Sequence, residues 1–222
     1  MPSASFPIEP PIEPPIETPI ELLTAAADLA AGGGRRLLGI TGPPGAGKST
    51  LAAALVAALP PGDALVVGMD GFHLAQRELE RLGLADRKGA PATFDVGGFV
   101  ALLHRLRAAD EPLVYAPVFS RRIEEPIASA LGVPAEVPLL VVEGNYLLVG
   151  AGGWERVRPL LDVCWYLAPD DDVRRDWLIA RHVANGRSPA AAREWVRRSD
   201  EDNARLIAST RPLADRLVRW GS

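Results

Sequence analysis

The stretch Gly42-Pro43-Pro44-Gly45-Ala46-Gly47-Lys48-Ser49 decides how this chain is read. It follows the apolar run Leu37-Leu38-Gly39-Ile40-Thr41, a strand, and leads into a helix from Ser49 to Leu59 that Pro60-Pro61-Gly62 ends. A strand, a glycine-rich turn and a helix in that order form a cradle for phosphate, and the spacing G-x-x-x-x-G-K-[ST] is complete. Glycines allow the backbone to curl tightly and aim several N–H groups inward. The following helix contributes the positive end of its dipole. Gly42 through Ser49, with Thr50 in the first helical turn, are therefore the expected phosphate contacts. Lys48 is placed to reach the β- and γ-phosphates, and the Ser49 hydroxyl to bind Mg²⁺.

The composition isolates that lysine further. Of 24 basic residues only Lys48 and Lys88 are lysines, and the other 22 are arginines. Arginine is a wide planar fork and lysine a compact charge on a slim stem, so a lysine inside a narrow phosphate loop is not replaceable by arginine. The formal net charge of −4 over 222 residues argues against a general nucleic-acid binder. No apolar run approaches the ~20 residues that cross a bilayer, and the N-terminus lacks the pattern of a secretory signal. A single cysteine, Cys164, allows no intramolecular disulfide, and its apolar neighbours suggest an inert buried thiol. These features lead to the expectation of a cytoplasmic protein with no nucleic-acid or membrane partner.

Outward from the cradle, strand-like and helical stretches alternate. Strands are expected at Ala64 to Met69, Pro138 to Glu143, Val163 to Leu167 and Arg216 to Trp220. Helices are expected at Glu21 to Ala31, Phe94 to Ala109, Asp171 to Ala184 and Pro189 to Ala208. Phe99, Leu102, Leu103 and Leu106 repeat at helical spacing. Continuously apolar strands between helices imply an α/β fold with a mostly parallel sheet covered on both faces. Residues 1–21 carry a four-residue Pro-Ile-Glu repeat from Pro7 to Glu21, whose prolines favour an extended, flexible tail. Residues 22–222 then form one domain, with a lid around residues 171–190.

Two carboxylates end strands. Asp70 follows Val66-Val67-Gly68-Met69, and Glu143 closes Leu139-Leu140-Val141-Val142. In a parallel sheet such ends gather at the carboxyl edge, where ligands bind. Glu143 is placed to hold Mg²⁺, directly or through water. Asp70 alone is open to three roles: helix cap, metal ligand or catalytic base. Asp95-Val96-Gly97-Gly98 matches the D-x-x-G of GTPases, but their guanine-reading N-K-x-D needs a later lysine and none follows Lys88. Asp95 is therefore read as a helix N-cap.

The cradle, Asp70-Gly71-Phe72-His73, the stretch Arg87 to Asp95 and Val142-Glu143-Gly144 together resemble the uridine kinase, phosphoribulokinase and pantothenate kinase group. Their order is most similar to bacterial proteins labelled fructose-transport-system kinases, or nucleoside/nucleotide kinase-like proteins. The resemblance runs from about Arg36 to Trp220. It implies a P-loop NTPase three-layer αβα fold with a small helical lid, and ATP and Mg²⁺ as cofactors. It assigns Asp70 the role of catalytic base toward the substrate hydroxyl. Arg174 to Arg187 resembles the arginine-rich lid of that group, with Arg181 and Arg187 as phosphate contacts, although Asn185 stands where the group has an arginine. Arginines in a lid can neutralise the charge that phosphoryl transfer develops, so Arg181 joins Lys48 and Asp70 as a catalytic candidate.

By the same resemblance His73, Arg87, Lys88, Tyr115, Arg121 and Asn145 are expected around a small-molecule acceptor. Two departures weaken uridine as that acceptor: Ser120 replaces a histidine, and the acidic residue for ribose near Gly89 is missing. The cationic pair Arg87-Lys88 suits an acceptor with negative charge, or pins a loop. The expected activity is ATP-dependent phosphorylation of a hydroxyl on a sugar, pantothenate-like compound or nucleoside. The alternative is a nucleotide-switched regulatory ATPase, which would not need Asp70 aimed at an acceptor. Self-association is compatible with the sequence.

Overall fold

The structure, a computed structural model, describes residues 18–184 and 186–219, with the side chains of Arg198 and Ser199 outside the description. The repeat as far as residue 17, Asn185 and Trp220 thus lie outside the described residues. The main sheet joins β1 (Arg36–Thr41), β2 (Ala64–Gly68), β5 (Leu139–Glu143), β6 (Val163–Leu167) and β7 (Arg216–Val218) in the order β2-β5-β1-β6-β7. All four pairings are parallel. A separate antiparallel hairpin pairs β3 (Leu113–Ser120) with β4 (Glu125–Pro134). The helices are α1 (Ile20–Ala31), α2 (Lys48–Ala57), α3 (Gln76–Arg81), α4 (Val96–Ala108), α5 (Asp171–Ala184), α6 (Pro189–Trp195) and α7 (Glu201–Ser209).

The middles of the central strands are apolar because each face is covered. Leu37, Leu140, Val142, Cys164 and Tyr166 enter one core, which includes Phe99 and Leu103 of α4. The alternating residues Leu38, Ile40, Leu139, Val141, Trp165 and Leu167 enter the other core, against Leu51 and Leu55 of α2 and Leu22 and Ala26 of α1. Period-two alternation along a strand produces this division. Three layers, helix on sheet on helix, follow. Asp95 caps α4 as expected, its carboxylate accepting from the Gly98 N–H at 2.8 Å.

Two features depart from the sequence reading. The hairpin was not expected, because Pro117, Pro126 and Pro134 interrupt its strands. In a two-stranded ribbon both strands are edges, where proline is tolerated, and the register shifts between Ala116 and Val118 to absorb Pro117. The single helix expected from Pro189 to Ala208 is instead α6 and α7 separated by a π turn at Val196–Asp200.

Candidate active site

The strand order assembles the site. β5 lies between β2 and β1, so Glu143 has Gly68 as its register partner on one side and Ile40 on the other. The cradle begins just beyond β1, and Asp70 follows two residues beyond Gly68. Glu143 therefore sits between the cradle and Asp70, at the carboxyl edge of the sheet.

In the cradle, Gly45 has φ +77°, and an added Cβ would come within 2.6 Å of Leu178 Cγ on α5. Glycine is needed there both for the left-handed backbone and for close packing. Lys48 Nζ donates to the carbonyls of Gly42 and Pro43 at 3.0 Å each. Thr50 is buried in the first turn of α2, and the N–H groups of that turn have no preceding helical carbonyl to bond. The Ser49 hydroxyl donates to Glu143 Oε2 at 3.4 Å. Burial and then the Asp70 charge push the Glu143 carboxyl up to about 7, against the opposing pull of Lys48, Arg121 and the Ser49 hydroxyl.

Asp70 stands on the short 3-10 turn Met69–Phe72, with its side chain still 45% exposed. The hairpin presses on this turn, and a Cβ on Gly71 would run into the Pro117 carbonyl. His73 Nδ1 lies 2.8 Å from the Asp70 carbonyl oxygen. Its ring makes tilted contacts with Phe94 at 4.1 Å and Phe119 at 4.8 Å. The Asp95 N–H donates to Phe72 O at 2.8 Å and the Leu74 N–H to Thr93 O at 2.9 Å, which ties the Asp70 turn to the loop carrying Lys88 and Phe94.

A cavity of about 130 Å³ opens where these pieces meet. Pro44 of the cradle, Asp70, His73 and Asn145 form one part of its wall, and Lys88, Gly89 and Phe94 another. Arg181 of α5, Asp200 of the π turn and Asn203 of α7 close it. Lys88 borders the cavity, but its ammonium donates to Glu124 O at 2.7 Å and so ties the loop to the hairpin. A larger hollow of about 450 Å³ lies between the start of α1 and β7 and contains no residue of the cradle.

The remaining expected site residues lie outside the cavity wall. Arg87 is exposed at the end of the turn Ala85–Arg87. Tyr115 is 54% exposed, because alternation along β3 turns it to solvent while Val114 and Ala116 face the core. Arg121 is close enough to Glu143 to act on its charge. The Arg187 guanidinium lies over the Trp195 ring at 4.1 Å.

Three residues not singled out from the sequence connect α5 to its neighbours. Arg174 is 1% exposed and donates to Pro44 O at 3.3 Å, to Asp171 at 3.0 Å and to Glu201. It ties α5 to the cradle and to α7. His182 Nε2 and Asp200 Oδ2 form a pair at 2.9 Å. Among arginines spread along a helix, nothing local marks Arg174 as buried; its only signal is the four-residue spacing to the apolar Leu178. Nothing in the sequence pairs His182 with Asp200.

The chain superposes on a protein of Silicibacter sp. TM1040 provisionally named a fructose transport system kinase, with a TM-score of 0.79 and 38% identity, covering 89% of this chain and 98% of that one. The fold is that of a P-loop kinase, and the relatives are kinases, phosphotransferases that have a small molecule's hydroxyl as acceptor. A Schizosaccharomyces pombe protein provisionally named a uridine kinase is 33% identical over 191 residues, 82% of this chain and 81% of that protein. A pantothenate kinase of Rhodopseudomonas palustris is 30% identical over 158 residues, 67% of this chain and 49% of that enzyme. Residues 37–221 match the Phosphoribulokinase / Uridine kinase family, and the chain belongs to that family. Among the described residues no helix is long and apolar enough to cross a membrane.

Proposed function

We propose that the chain transfers the γ-phosphate of Mg-ATP to a hydroxyl of a small polar metabolite such as a sugar, a pantothenate-like compound or a nucleoside. The observation that carries this reading is the row of cradle, Glu143 and Asp70 along one sheet edge, with the cavity opening between Asp70 and Pro44.

The residues present suit Mg-ATP. Among the described residues no cluster of three or more histidine, cysteine or acidic side chains could hold a metal by itself. A hydroxyl from Ser49 and a carboxylate from Glu143 are hard oxygen donors, and Mg²⁺ typically takes one or two such ligands and completes its shell with phosphate and water. When bound, Mg-ATP supplies the phosphoryl group.

The chain's own part is positioning and proton transfer. The loop amides and Lys48 hold the phosphates, and Lys48 is already kept at the loop by its two carbonyl contacts. A carboxylate oxygen of Asp70 takes the proton from the acceptor hydroxyl, so that oxygen becomes nucleophilic only when it faces the cradle. His73, held between two phenylalanine rings, shapes the acceptor side. Arg181 brings positive charge to the cavity from α5, where it offsets the negative charge of transfer.

Replacing Asp70 tests the assignment directly. Asp70→Asn is expected to bind Mg-ATP with unchanged Kd and to lose about 10² or more in kcat, read by coupled ADP release with an acceptor panel. Turnover close to that of the unaltered chain would remove Asp70 from the mechanism.

A further inference from the structure

We propose that Asp200, presented by the π turn and steered by His182, anchors a second hydroxyl of a neutral, polyhydroxylated acceptor opposite Asp70. The inference rests on the kinase reading above and specifies its substrate class.

Asp200 ends the π turn Val196–Asp200, which widens the helical path between α6 and α7 at one point. Such turns interrupt regular helix bonding and recur at functional sites. The residue is 8% exposed yet lines the cavity. Oδ2 is taken by His182 Nε2, and among the described residues no donor meets Oδ1. A carboxylate buried this far is costly while one oxygen lacks a donor. His182 is itself braced edge-on to Trp195, so the direction of the carboxylate is set by packing. A hydrogen-bond donor on a molecule in the cavity completes the arrangement.

The other walls select the kind of donor. Asp70 and Asp200 place two carboxylates around the cavity, which disfavours an acid there. Lys88 and Arg181 place two cations in the same wall, which disfavours an amine. Lys88 is also committed to Glu124 O and to Gln76 Oε1, so it is occupied as a loop tie. Hydroxyl groups donate to carboxylates and accept from cations without adding charge. The volume of about 130 Å³ compares with the ~150 Å³ cavity that admits benzene. That space holds a short polyol or one end of a sugar.

The test uses the full chain with Mg-ATP and six compounds: glycerol, erythritol, ribose and fructose as neutral polyols, D-glycerate and pantothenate as hydroxy acids. Products are read by mass spectrometry. At least one neutral polyol is expected to be phosphorylated. Asp200→Asn is expected to raise the KM of that polyol about ten-fold or more, as for loss of a hydrogen bond to a charged group, with the Kd of Mg-ATP unmoved. His182→Leu should raise the same KM, whereas His182→Gln, which keeps a donor near Nε2, should restore it to within a few-fold. An unmoved KM in Asp200→Asn overturns the role of Asp200. Phosphorylation of the hydroxy acids alone overturns the polyol class and leaves the kinase reading standing. Phosphorylation of none of the six overturns the polyol class and leaves the kinase reading, which also admits nucleosides, standing.

Discussion

At Glu143 an apolar strand meets the polar edge of the sheet, and the cost appears in its protonation. Its carboxyl, held up at about 7 by burial and by Asp70, binds a proton in the folded chain at pH values where the unfolded chain has released it. The sign is therefore unfavourable: without Mg-ATP, the contribution of this group to stability falls as pH rises from about 4.5 to about 7, then levels off. Glu143→Gln lacks this penalty, so its stability relative to the unaltered chain should improve by about 3 kcal/mol between pH 4.5 and pH 8. Urea titrations at the two pH values check this, and a constant difference would contradict it. Glu143, Asp70 and Lys48 were legible as residues because each stands at a strand end or inside a spaced motif. Asp200 was not, since its meaning comes from a partner 18 positions away across a helix junction.

At the scale of elements, α5 is more than a cover. Its Arg174 spans three elements, and its Leu178 occupies the space that a side chain on Gly45 would need. Arg174→Met keeps the length of the side chain but, among the described residues, leaves the Glu201 carboxylate with Arg175 alone, at 3.4 Å. Breaking a buried pair on one side typically costs about 3–5 kcal/mol, so this variant should unfold at clearly lower urea and bind Mg-ATP more weakly. Loss of stability with unchanged nucleotide affinity would show that α5 braces the core and not the cradle. The sequence indicated α5 and α4 well, since apolar spacing and an N-cap are local signals. It concealed the hairpin, whose prolines read as breaks, and the π turn, which needs the surrounding packing to form.

Across the whole molecule, the two edges of the sheet have different duties. The carboxyl edge gathers the cradle, Glu143 and Asp70, while the amino edge is locked by Asp162 just before β6. Asp162 accepts from the Leu37 N–H at 2.9 Å and pairs with Arg107 of α4 and with Arg36. Burial alone would raise its carboxyl, but these bonds outweigh burial and hold it below the ordinary value. A depressed carboxyl stabilises the fold above its ordinary pKa and loses that contribution as pH falls toward its folded value. Asp162→Asn should cost about 1–2 kcal/mol at pH 7, the arginines being half exposed, and progressively less below pH 4. Mg-ATP affinity should be unaffected, because the change lies at the opposite edge from the cradle.

What the sequence determined by itself was everything encoded by neighbours: the cradle with its lysine and serine, the alternation that makes three layers, and two strand-end carboxylates. What only the tertiary structure decided was who faces whom. β5 between β1 and β2 sets Glu143 beside Asp70, Lys88 is spent on the hairpin, and Asp200 meets His182 at the cavity wall. The reason is physical. Backbone conformation and burial pattern follow from local sterics and hydrophobic spacing, whereas the surroundings of a charged side chain depend on elements brought together by packing from distant parts of the chain.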